Sequence, residues 1–347
     1  MSLSHEPPAH ELPSPEPSAD QPPLELSVVS DLAAKVLDEI ETAVIGKRDA
    51  LTMVLAGLLA GGHVLLEDFP GLGKTLAARS FAQTLGLDFA RAQFTPDLLP
   101  ADLTGSFIFD QRVNEFSFRS GPLFTGLLLA DEINRTPPKT QAALLEAMQE
   151  KQVTVEGETF ALPEPFHVLA TANPVEYEGT YPLPEAQLDR FMIQVSFGYP
   201  TPEEEWDVLH RRLDRRREEQ TLRRIVDAST LSAMQAAIEH VEVDESVGRY
   251  CVALATATRT HAHALMGSSP RGSLSLVLMA RARAVIEGRD FVTPEDVKAV
   301  AVPVLAHRVA VKPELWMSNA SGMSIVTEVL GSVPTPAALE ATTRETR

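Results

Sequence analysis

The chain has 347 residues, enough to bury the cores of two domains, and its 44% hydrophobic and 22% charged content is ordinary for a globular protein. Its 48 acidic residues against 30 Lys and Arg give a formal net charge of −18, which argues against a protein that grips nucleic acid through a broad basic face. The single cysteine, Cys251, excludes an internal disulfide framework and a cysteine-rich metal site, and it favours a reducing, cytoplasmic location.

Residues 1–26 are predicted to form a disordered tail. They hold seven prolines and five acidic residues but no Lys or Arg, so they offer too little apolar surface to offset the entropy of ordering. Recognition of this proline-rich tail by a partner is the alternative interpretation. Residues 335–347 are predicted to be a flexible C-terminus. No apolar run in the chain approaches the roughly 20 residues of a membrane-spanning helix, so membrane insertion is not expected.

An amphipathic helix is predicted at residues 27–43, with Ser30 or Asp31 near its N-cap. Strands and helices alternate after it. The predicted strands cover residues 63–67, 89–93, 127–132, 166–172 and 192–197, and the predicted helices between them cover residues 75–85 and 138–151. This alternation predicts an α/β fold with a parallel sheet covered by helices on both faces, and ligands of such sheets bind at the carboxyl ends of the strands.

Two segments interrupt this alternation and are predicted to be inserted hairpins. In residues 104–118, two pairs of phenylalanines flank a polar turn, and in residues 152–162 apolar pairs flank Gly157. The hairpins either only decorate the α/β core or contact a partner or a neighbouring subunit.

A helical region is predicted after the segment Pro200-Thr201-Pro202. Its helices cover residues 203–217, 230–240, 244–259, 273–287 and 294–306. The last of these has a strong start, because Thr293 can cap it while Pro294 and two acidic residues occupy its first turn. We therefore divide the chain into a core at residues 27–200 and a helical domain at residues 201–334. A metal site at His261 and His263 is not expected, and Cys251 is predicted to be a core residue.

A glycine-rich loop joins the first predicted strand of the core to the helix after it. It reads Asp68-Phe69-Pro70-Gly71-Leu72-Gly73-Lys74-Thr75-Leu76. Its glycines let backbone N–H groups surround phosphate oxygens, the helix N-terminus adds positive potential, and Lys74 can reach the β- and γ-phosphates. The Thr75 hydroxyl is suited to Mg²⁺. The strict pattern has Gly where this chain has Asp68, so the flanking strand and helix support the prediction that residues 70–76 bind a nucleotide.

Two further strands end in candidate catalytic residues. The apolar strand at residues 127–132 ends in Asp131 and Glu132, and after a phosphate-binding loop this favours Asp131 as a metal ligand and Glu132 as the base that activates water. The next strand ends at Asn173, whose amide can orient the attacking water. Because an Asn before Pro also commonly forms a turn, the residues alone leave both interpretations of Asn173 open.

Together these motifs resemble the MoxR family of AAA+ ATPases, in its helix-2-insert group, from about residue 45 to residue 334. The other similar segments are residues 62–67, 93–100, 130–135, 183–191, 269–271 and 287–290. The resemblance implies a P-loop AAA+ core followed by a helical lid, with the two hairpins as the insertions of this group. It also implies that Lys74 and Thr75 are the Walker A contacts, that Asp131 and Glu132 form Walker B, and that Asn173 is sensor 1.

The resemblance assigns roles to four residues outside the Walker A, Walker B and sensor 1 motifs. Arg190 resembles the arginine finger that reaches a nucleotide held by a neighbouring subunit, the alternative being an ion pair with Asp189. Arg271 resembles sensor 2, which closes on the γ-phosphate from the lid side, the alternative being an ordinary arginine in the first turn of a helix. Ile45 and Gly46 stand where relatives pack the adenine, although Gly46 could simply end a helix.

The function implied by the resemblance is ATP hydrolysis with Mg²⁺ at the subunit interfaces of a homo-oligomer. The resemblance implies that this homo-oligomer is a hexameric ring, which remodels or matures client proteins. The resemblance also implies a client or adaptor containing a von Willebrand factor A domain. One alternative is a DNA-acting motor, which the net charge and the insertions disfavour, so no nucleic-acid partner is expected. Another is a nucleotide-gated scaffold without turnover, which Glu132 and Asn173 disfavour.

Overall fold

In the computed structural model, residues 24–112, 114–174, 180–215, 221–315, 318 and 320–336 are described. The predictions for the N-terminal tail and the flexible C-terminus therefore lie outside the described residues, apart from residues 24–26 and 335–336. None of the helices within these ranges has the length and apolar character that crossing a bilayer requires.

The strands confirm the predicted α/β core. In chain order they are β1 (Val64–Glu67), β2 (Phe89–Gln93), β3 (Gly105–Asp110), β4 (Glu115–Ser120), β5 (Leu127–Asp131), β6 (Gln152–Val155), β7 (Glu158–Ala161), β8 (His167–Ala172), β9 (Ile193–Val195), β10 (Ala264–Met266) and β11 (Ala310–Val311). The central sheet has the order β2-β5-β8-β1-β9, and all of its pairs are parallel. The carboxyl ends of β1, β5 and β8 therefore lie side by side at one edge.

The helices cover both faces of the sheet and form the region that follows it. They are α1 (Leu26–Glu41), α2 (Arg48–Leu59), α3 (Lys74–Thr84), α4 (Pro100–Thr104), α5 (Pro138–Glu150), α6 (Glu185–Leu188), α7 (Pro202–Arg215), α8 (Ala228–Ile238), α9 (Glu245–Thr260), α10 (Pro270–Ile286), α11 (Pro294–Leu305) and α12 (Gly322–Ser332). The predicted start of α11 is confirmed, since Thr293 and Asp296 form a reciprocal capping box.

The short helices α4 and α6 were not predicted, and the predictions were wrong or missing for three longer helices. Helix α1 begins at Leu26, so Ser30 and Asp31 lie inside it, because the buried stripe that starts at Val29 extends the helix by a turn. Helix α2 was not predicted because most of its side chains are buried and apolar, which hides the helical period in the sequence. Helix α12 was also missed, although Ile325, Val326 and Val329 form a buried stripe on it.

The alternation of side chains along the strands separates two hydrophobic clusters. Val64 and Leu66 of β1 point into one cluster, whereas Leu65 between them points into the other. The first cluster is continuous from α1, α2 and α3 to the helices α8 to α12. The helical region therefore packs on the N-terminal helices, which sequence order would assign to the core domain.

Both predicted hairpins are present, as the antiparallel pairs β3–β4 and β6–β7. They contact each other through the rings of Phe118 and Phe160, which stack with centroids 4.1 Å apart and an interplanar angle of 8°. Phe109 and Phe116 lie farther along the first hairpin and remain exposed. The prediction for Cys251 is also confirmed, since its side chain is buried in the helical region and burial raises the pKa of its thiol to about 12.

Candidate functional site

A cavity of about 210 Å³ opens at the carboxyl edge of the central strands. It is lined by residues from three separate segments: Pro70, Gly71, Gly73, Lys74, Thr75, Leu76, Asp131, Glu132, Thr171, Ala172 and Asn173. The structure thus brings together most of the residues that the motifs singled out. Leu72, Ile45, Gly46, Arg190 and Arg271 were also predicted to serve the site, but they do not line this cavity.

The backbone of the glycine-rich loop fits a phosphate group. Gly71 and Gly73 have φ angles of 84° and 83°, a left-handed conformation that favours glycine. Apart from the adjoining residues of the chain, no described protein atom lies within 4 Å of the place where a Cβ would stand at either glycine, so the open space beside them is available to a ligand. Helix α3 begins at the next residue, and its 11 residues direct an N-terminus towards the same cavity.

Lys74 supplies the positive charge of the cavity. Its Nζ donates a hydrogen bond to the carbonyl oxygen of Asp68 at 2.6 Å. Burial lowers the pKa of the Lys74 ammonium, and the neighbouring carboxylates, of which Asp68 and Asp131 contribute most, oppose that shift. Because a neutral carbonyl accepts this bond, the half-buried ammonium can exchange it for a stronger bond to an anionic phosphate oxygen.

Asp68, the departure from the strict loop pattern, is a buried anchor. Its Oδ2 accepts hydrogen bonds from the backbone N–H groups of Phe197 at 2.6 Å and Gly198 at 2.9 Å, and its Oδ1 accepts one from Phe69 at 3.0 Å. The carboxylate therefore ties the start of the loop to the segment after β9. A glycine could not make this connection, so the aspartate supports the loop.

We expect Asp68→Ala to lower the free energy of unfolding by about 2–3 kcal/mol, since it leaves backbone donors near Phe197 without a partner. Nucleotide affinity should fall as well, because the loop loses its anchor. Urea unfolding followed by circular dichroism measures the first effect, and titration with a fluorescent ATP analogue measures the second. Asp207→Ala, at an exposed position of α7, is the matched control. Equal stability of the two variants would contradict the anchoring role.

Asp131 is held on both carboxylate oxygens by residues that the motif analysis missed. Oδ2 accepts hydrogen bonds from Nη2 and Nε of Arg91 at 2.7 and 3.1 Å, and Oδ1 accepts one from the Thr171 hydroxyl at 2.6 Å. Arg91 lies in β2 and Thr171 in β8, the two strands that flank β5. The only signal in the sequence was the presence of polar residues inside otherwise apolar strands.

The donor set of the cavity fits Mg²⁺. Thr75 and Asp131 line the same cavity and offer a hydroxyl and a carboxylate, the hard oxygen ligands that this ion prefers. One oxygen of Asp131 is bound by Arg91, so direct coordination there would require the guanidinium to move or a water to intervene.

Glu132 is oriented by its backbone and by two side chains. Its φ of 58° is left-handed, which is uncommon for a residue with a Cβ and turns the side chain away from the line of β5. Its Oε2 accepts a hydrogen bond from Nε2 of Gln93 at 2.7 Å and lies 3.2 Å from Nη1 of Arg135. Both contacts fix the direction in which the carboxylate points.

Asn173 follows the end of β8 and lines the same cavity as Glu132. The side-chain nitrogen of Asn134 donates to the carbonyl oxygen of Asn173 at 3.2 Å, which helps to fix the backbone there. Asn173 is buried and lines the cavity with the loop glycines. An amide at this place can contact a water that lies between the carboxylate of Glu132 and a bound phosphate.

Arg190 and Arg271 lie together, but in a different cavity. This second cavity, of about 460 Å³, also includes His63, His167 and Arg308. Arg190 precedes β9, and β9 runs parallel to β1, so Arg190 lies at the amino edge of the sheet. The glycine-rich loop follows the carboxyl end of β1 and therefore lies at the opposite edge. The four residues of β1 separate the two edges by about 13 Å. Within one chain, Arg271 is therefore not placed to close on the phosphates near Lys74.

Asp189 does not pair with the arginine next to it in sequence. Its Oδ1 instead lies 2.8 Å from Nε of Arg308. The alternative interpretation, an ion pair between Asp189 and Arg190, is therefore not observed. Among the described residues, none forms an ion pair with Arg190 or with Arg271. Both guanidinium groups can therefore bind an external anion without first breaking such a pair.

Ile45 and Gly46 lie in a segment that contacts residues next to the loop anchor. Gly46 has a φ of 69°, and a Cβ there would stand 2.2 Å from the side chain of Glu204. The neighbouring Lys47 donates from Nζ to the carbonyl oxygen of Tyr199 at 3.1 Å. The ring of Tyr199 contacts that of Phe69 in the glycine-rich loop, with centroids 5.6 Å apart. A base could thus lie on this side of the phosphate cavity.

The structure adds Glu328 to the histidine pair for which no metal was expected. One possible ligand atom from each of His261, His263 and Glu328 lies within 4.8 Å of the others. However, Nε2 of His261 lies 3.1 Å from Oε2 of Glu328, and its Nδ1 accepts the backbone N–H of His263 at 3.3 Å. Because both ring nitrogens of His261 have protein partners, this group could ligate a cation only by giving up those contacts.

Comparisons with known proteins cover most of the chain. A family model described as "ATPase family associated with various cellular activities (AAA)" matches residues 63–193, and one described as "AAA lid domain" matches residues 256–329. The protein YeaC of Bacillus subtilis, described as uncharacterized, is 46% identical over 305 residues, which are 88% of this chain and 95% of YeaC.

Two named relatives are similar over comparable lengths. Chaperone MoxR1 of Mycobacterium tuberculosis is 40% identical over 311 residues, covering 87% of this chain and 82% of the relative. Protein MoxR of Methylorubrum extorquens is 31% identical over 334 residues, covering 88% and 96%. A crystal structure of a candidate ATPase from Cytophaga hutchinsonii has a TM-score of 0.83 and 41% identity, over 90% of this chain and 97% of that one.

Proposed function

The chain belongs to the MoxR family of AAA+ ATPases, and from that premise we propose that it hydrolyses Mg²⁺-bound ATP at the interfaces of a homo-oligomeric ring, a hexamer, to remodel client proteins. It is an ATPase, and its relatives support a chaperone type of function. The single buried cysteine favours the cytoplasm as its location.

One observation supports hydrolysis between subunits rather than within one. The phosphate cavity, with Lys74, Asp131 and Glu132, lies at the carboxyl edge of the sheet, whereas Arg190 and Arg271 lie at the amino edge. Neither arginine can serve the cavity of its own chain across the sheet. If both act on a phosphate, that phosphate is held by a second copy, and a head-to-tail contact of this kind can close into a ring.

Each residue then has a chemical task. The N–H groups of the loop and the Lys74 ammonium bind the β- and γ-phosphates, while the amide of Asn173 orients a water and Glu132 accepts its proton. A Mg²⁺ ion bound by Thr75 and Asp131 would neutralise part of the phosphate charge. The guanidinium groups of Arg190 and Arg271 stabilise the negative charge that develops on the transferred phosphoryl group of the neighbour.

Ile45 and Gly46 are proposed to contact the adenine, and Leu72 is proposed to bind the nucleotide as part of the glycine-rich loop. We further propose that the first hairpin contacts the client, because Phe109 and Phe116 leave 44% and 69% of their surface exposed there. A client or adaptor with a von Willebrand factor A domain remains a proposal that the family resemblance supports.

Mixing two inactive variants tests this proposal. Arg190→Ala should lower kcat by about 10³-fold or more, since an arginine finger has effects of that size. Mixed with Lys74→Ala subunits, it should regain activity, because an Arg190→Ala subunit binds ATP and a Lys74→Ala neighbour supplies the arginine. In an equal random mixture, about a quarter of the interfaces pair an Arg190→Ala subunit that binds ATP with a Lys74→Ala subunit that supplies the arginine.

The measurement is Mg²⁺-dependent phosphate release at concentrations where the subunits assemble, as checked by analytical ultracentrifugation. Each parent variant measured alone at the same total concentration is the control. A mixture no more active than its parents would contradict hydrolysis between subunits.

A further inference from the structure

A buried arginine of the helical region contacts the segment that carries Arg190. Arg308 lies in the turn after α11 and is 3% exposed. Its Nε donates to Oδ1 of Asp189 at 2.8 Å, and Asp189 directly precedes Arg190. Its Nη2 donates to the carbonyl oxygen of Phe191 at 2.7 Å, and its Nη1 to that of Met192 at 3.1 Å. One guanidinium thus contacts the chain on both sides of Arg190.

The same carboxylate also reaches the helix that carries Arg271. Oδ2 of Asp189 accepts a hydrogen bond from the Ser269 hydroxyl at 2.9 Å. Ser269 is the N-cap of α10, and its side-chain oxygen accepts the backbone N–H of Arg271 at 3.1 Å. Arg308 also donates to the Ser275 hydroxyl in α10, at 3.3 Å. The backbones of Arg190 and Arg271 are therefore joined through two short paths of hydrogen bonds.

We propose that Arg308 and Asp189 are positioning residues that hold Arg190 and Arg271 at a fixed spacing, so that both guanidinium groups meet the nucleotide of the neighbouring subunit together. This inference rests on the proposed function. Stabilisation alone is a weaker explanation, because a buried ion pair contributes little net stability compared with well-packed apolar side chains. A planar guanidinium can, however, donate several directed hydrogen bonds to two segments at once, which apolar side chains cannot do.

The spacing matters because catalysis is sensitive to small displacements. Misplacing a catalytic group by about 1 Å can lower a rate by about 10²-fold. Since neither Arg190 nor Arg271 forms an ion pair with a described residue, the backbone under each one determines where its guanidinium can reach. Loss of the hydrogen bonds of Arg308 and Asp189 should therefore lower hydrolysis at the interface to which the subunit contributes Arg190 and Arg271. The phosphate cavity of the same subunit should stay intact.

The test replaces Arg308 with Lys, which keeps the charge but loses the planar fork that binds both segments. We expect kcat to fall about 10- to 100-fold, with ATP-analogue affinity and assembly unchanged. Arg289→Lys is the matched control, since Arg289 also lies in the helical region and donates to both a carboxylate, Asp296, and a carbonyl, that of Phe291. Its kcat should stay near that of the unmodified protein.

Mixed rings distinguish positioning from a general structural role. Arg308→Lys subunits should regain activity with Lys74→Ala subunits, which supply an intact arginine face, but not with Arg190→Ala subunits, which lack one. An unchanged kcat, or loss of ATP-analogue affinity in parallel with kcat, would overturn the inference. So would rescue by Arg190→Ala subunits.

A second variant keeps the inference testable if Arg308→Lys does not fold. The double variant Asp189→Leu with Arg308→Met replaces the pair by apolar side chains, a change that buried pairs often tolerate. It should show the same mixing pattern, and normal kcat in the folded double variant would overturn the inference. If Arg190→Ala and Lys74→Ala fail to complement each other, the proposed function itself is at fault.

Discussion

Replacing Glu132 with Gln is expected to leave ATP bound while lowering kcat by about 10²- to 10⁴-fold. The amide has the shape of the carboxylate and can still accept a hydrogen bond from Gln93, which lies 2.7 Å from Oε2 in the native chain. It cannot take a proton from the attacking water. Binding and turnover should therefore separate in this variant.

Rapid filtration after incubation with radiolabelled ATP measures the separation, because the variant should retain unhydrolysed ATP and release little phosphate. Glu146→Gln, at an exposed position of α5, is the matched control and should turn over normally. Normal turnover by Glu132→Gln would exclude Glu132 as the base. The same trapped form would also retain a client in a pull-down, which would identify it.

Replacing Lys74 with Ala is expected to weaken nucleotide binding about 100-fold or more. The ammonium can donate several charge-assisted hydrogen bonds to phosphate, each contributing about 1.5–3 kcal/mol, and no other lysine or arginine lines this cavity among the described residues. The nucleotide-free protein should not lose stability to the same degree. Burial lowers the pKa of Lys74, so we do not expect its charge to stabilise the unliganded fold.

Thermal unfolding with and without nucleotide tests both parts, since a ligand that binds only the folded state raises Tm with its concentration. The nucleotide-dependent rise should require about 100-fold more nucleotide in Lys74→Ala and should be unchanged in Lys298→Ala, whose lysine pairs with Glu295 on α11. A rise in Lys74→Ala at the same nucleotide concentrations as in the unmodified protein would remove the loop from its assigned role.

Much of the fold could be predicted because it is encoded locally. The five strands of the sheet were predicted with end points within two residues, since each is a short apolar run bounded by turn residues. The two hairpins and the capping box at Thr293 follow from equally local patterns. Helix α2 was missed for a related reason: a helix buried on most sides has no polar face, so its period is not visible.

The candidate site divides in the same way. The glycine-rich loop is a contiguous motif, and Asp131, Glu132 and Asn173 each end a recognisable strand, so the sequence predicted them. Arg91 and Thr171, which bind Asp131, were not predicted, because a residue gains such a role only from the strand beside it. Asp68 departs from the strict loop pattern, and only its contacts with Phe197 and Gly198 explain that departure.

The sequence by itself determined the chemistry of this protein: a phosphate-binding loop, an acidic pair after an apolar strand, and a family resemblance that implies ATP hydrolysis. Only the tertiary structure decided which of these groups meet. The parallel direction of β1 and β9 places Lys74 at the carboxyl edge of the sheet and Arg190 at the amino edge, and the packing of the helical region joins Asp189 to Arg308 across 119 residues. Local patterns cannot encode such pairings, because they depend on which strands and helices become neighbours in space.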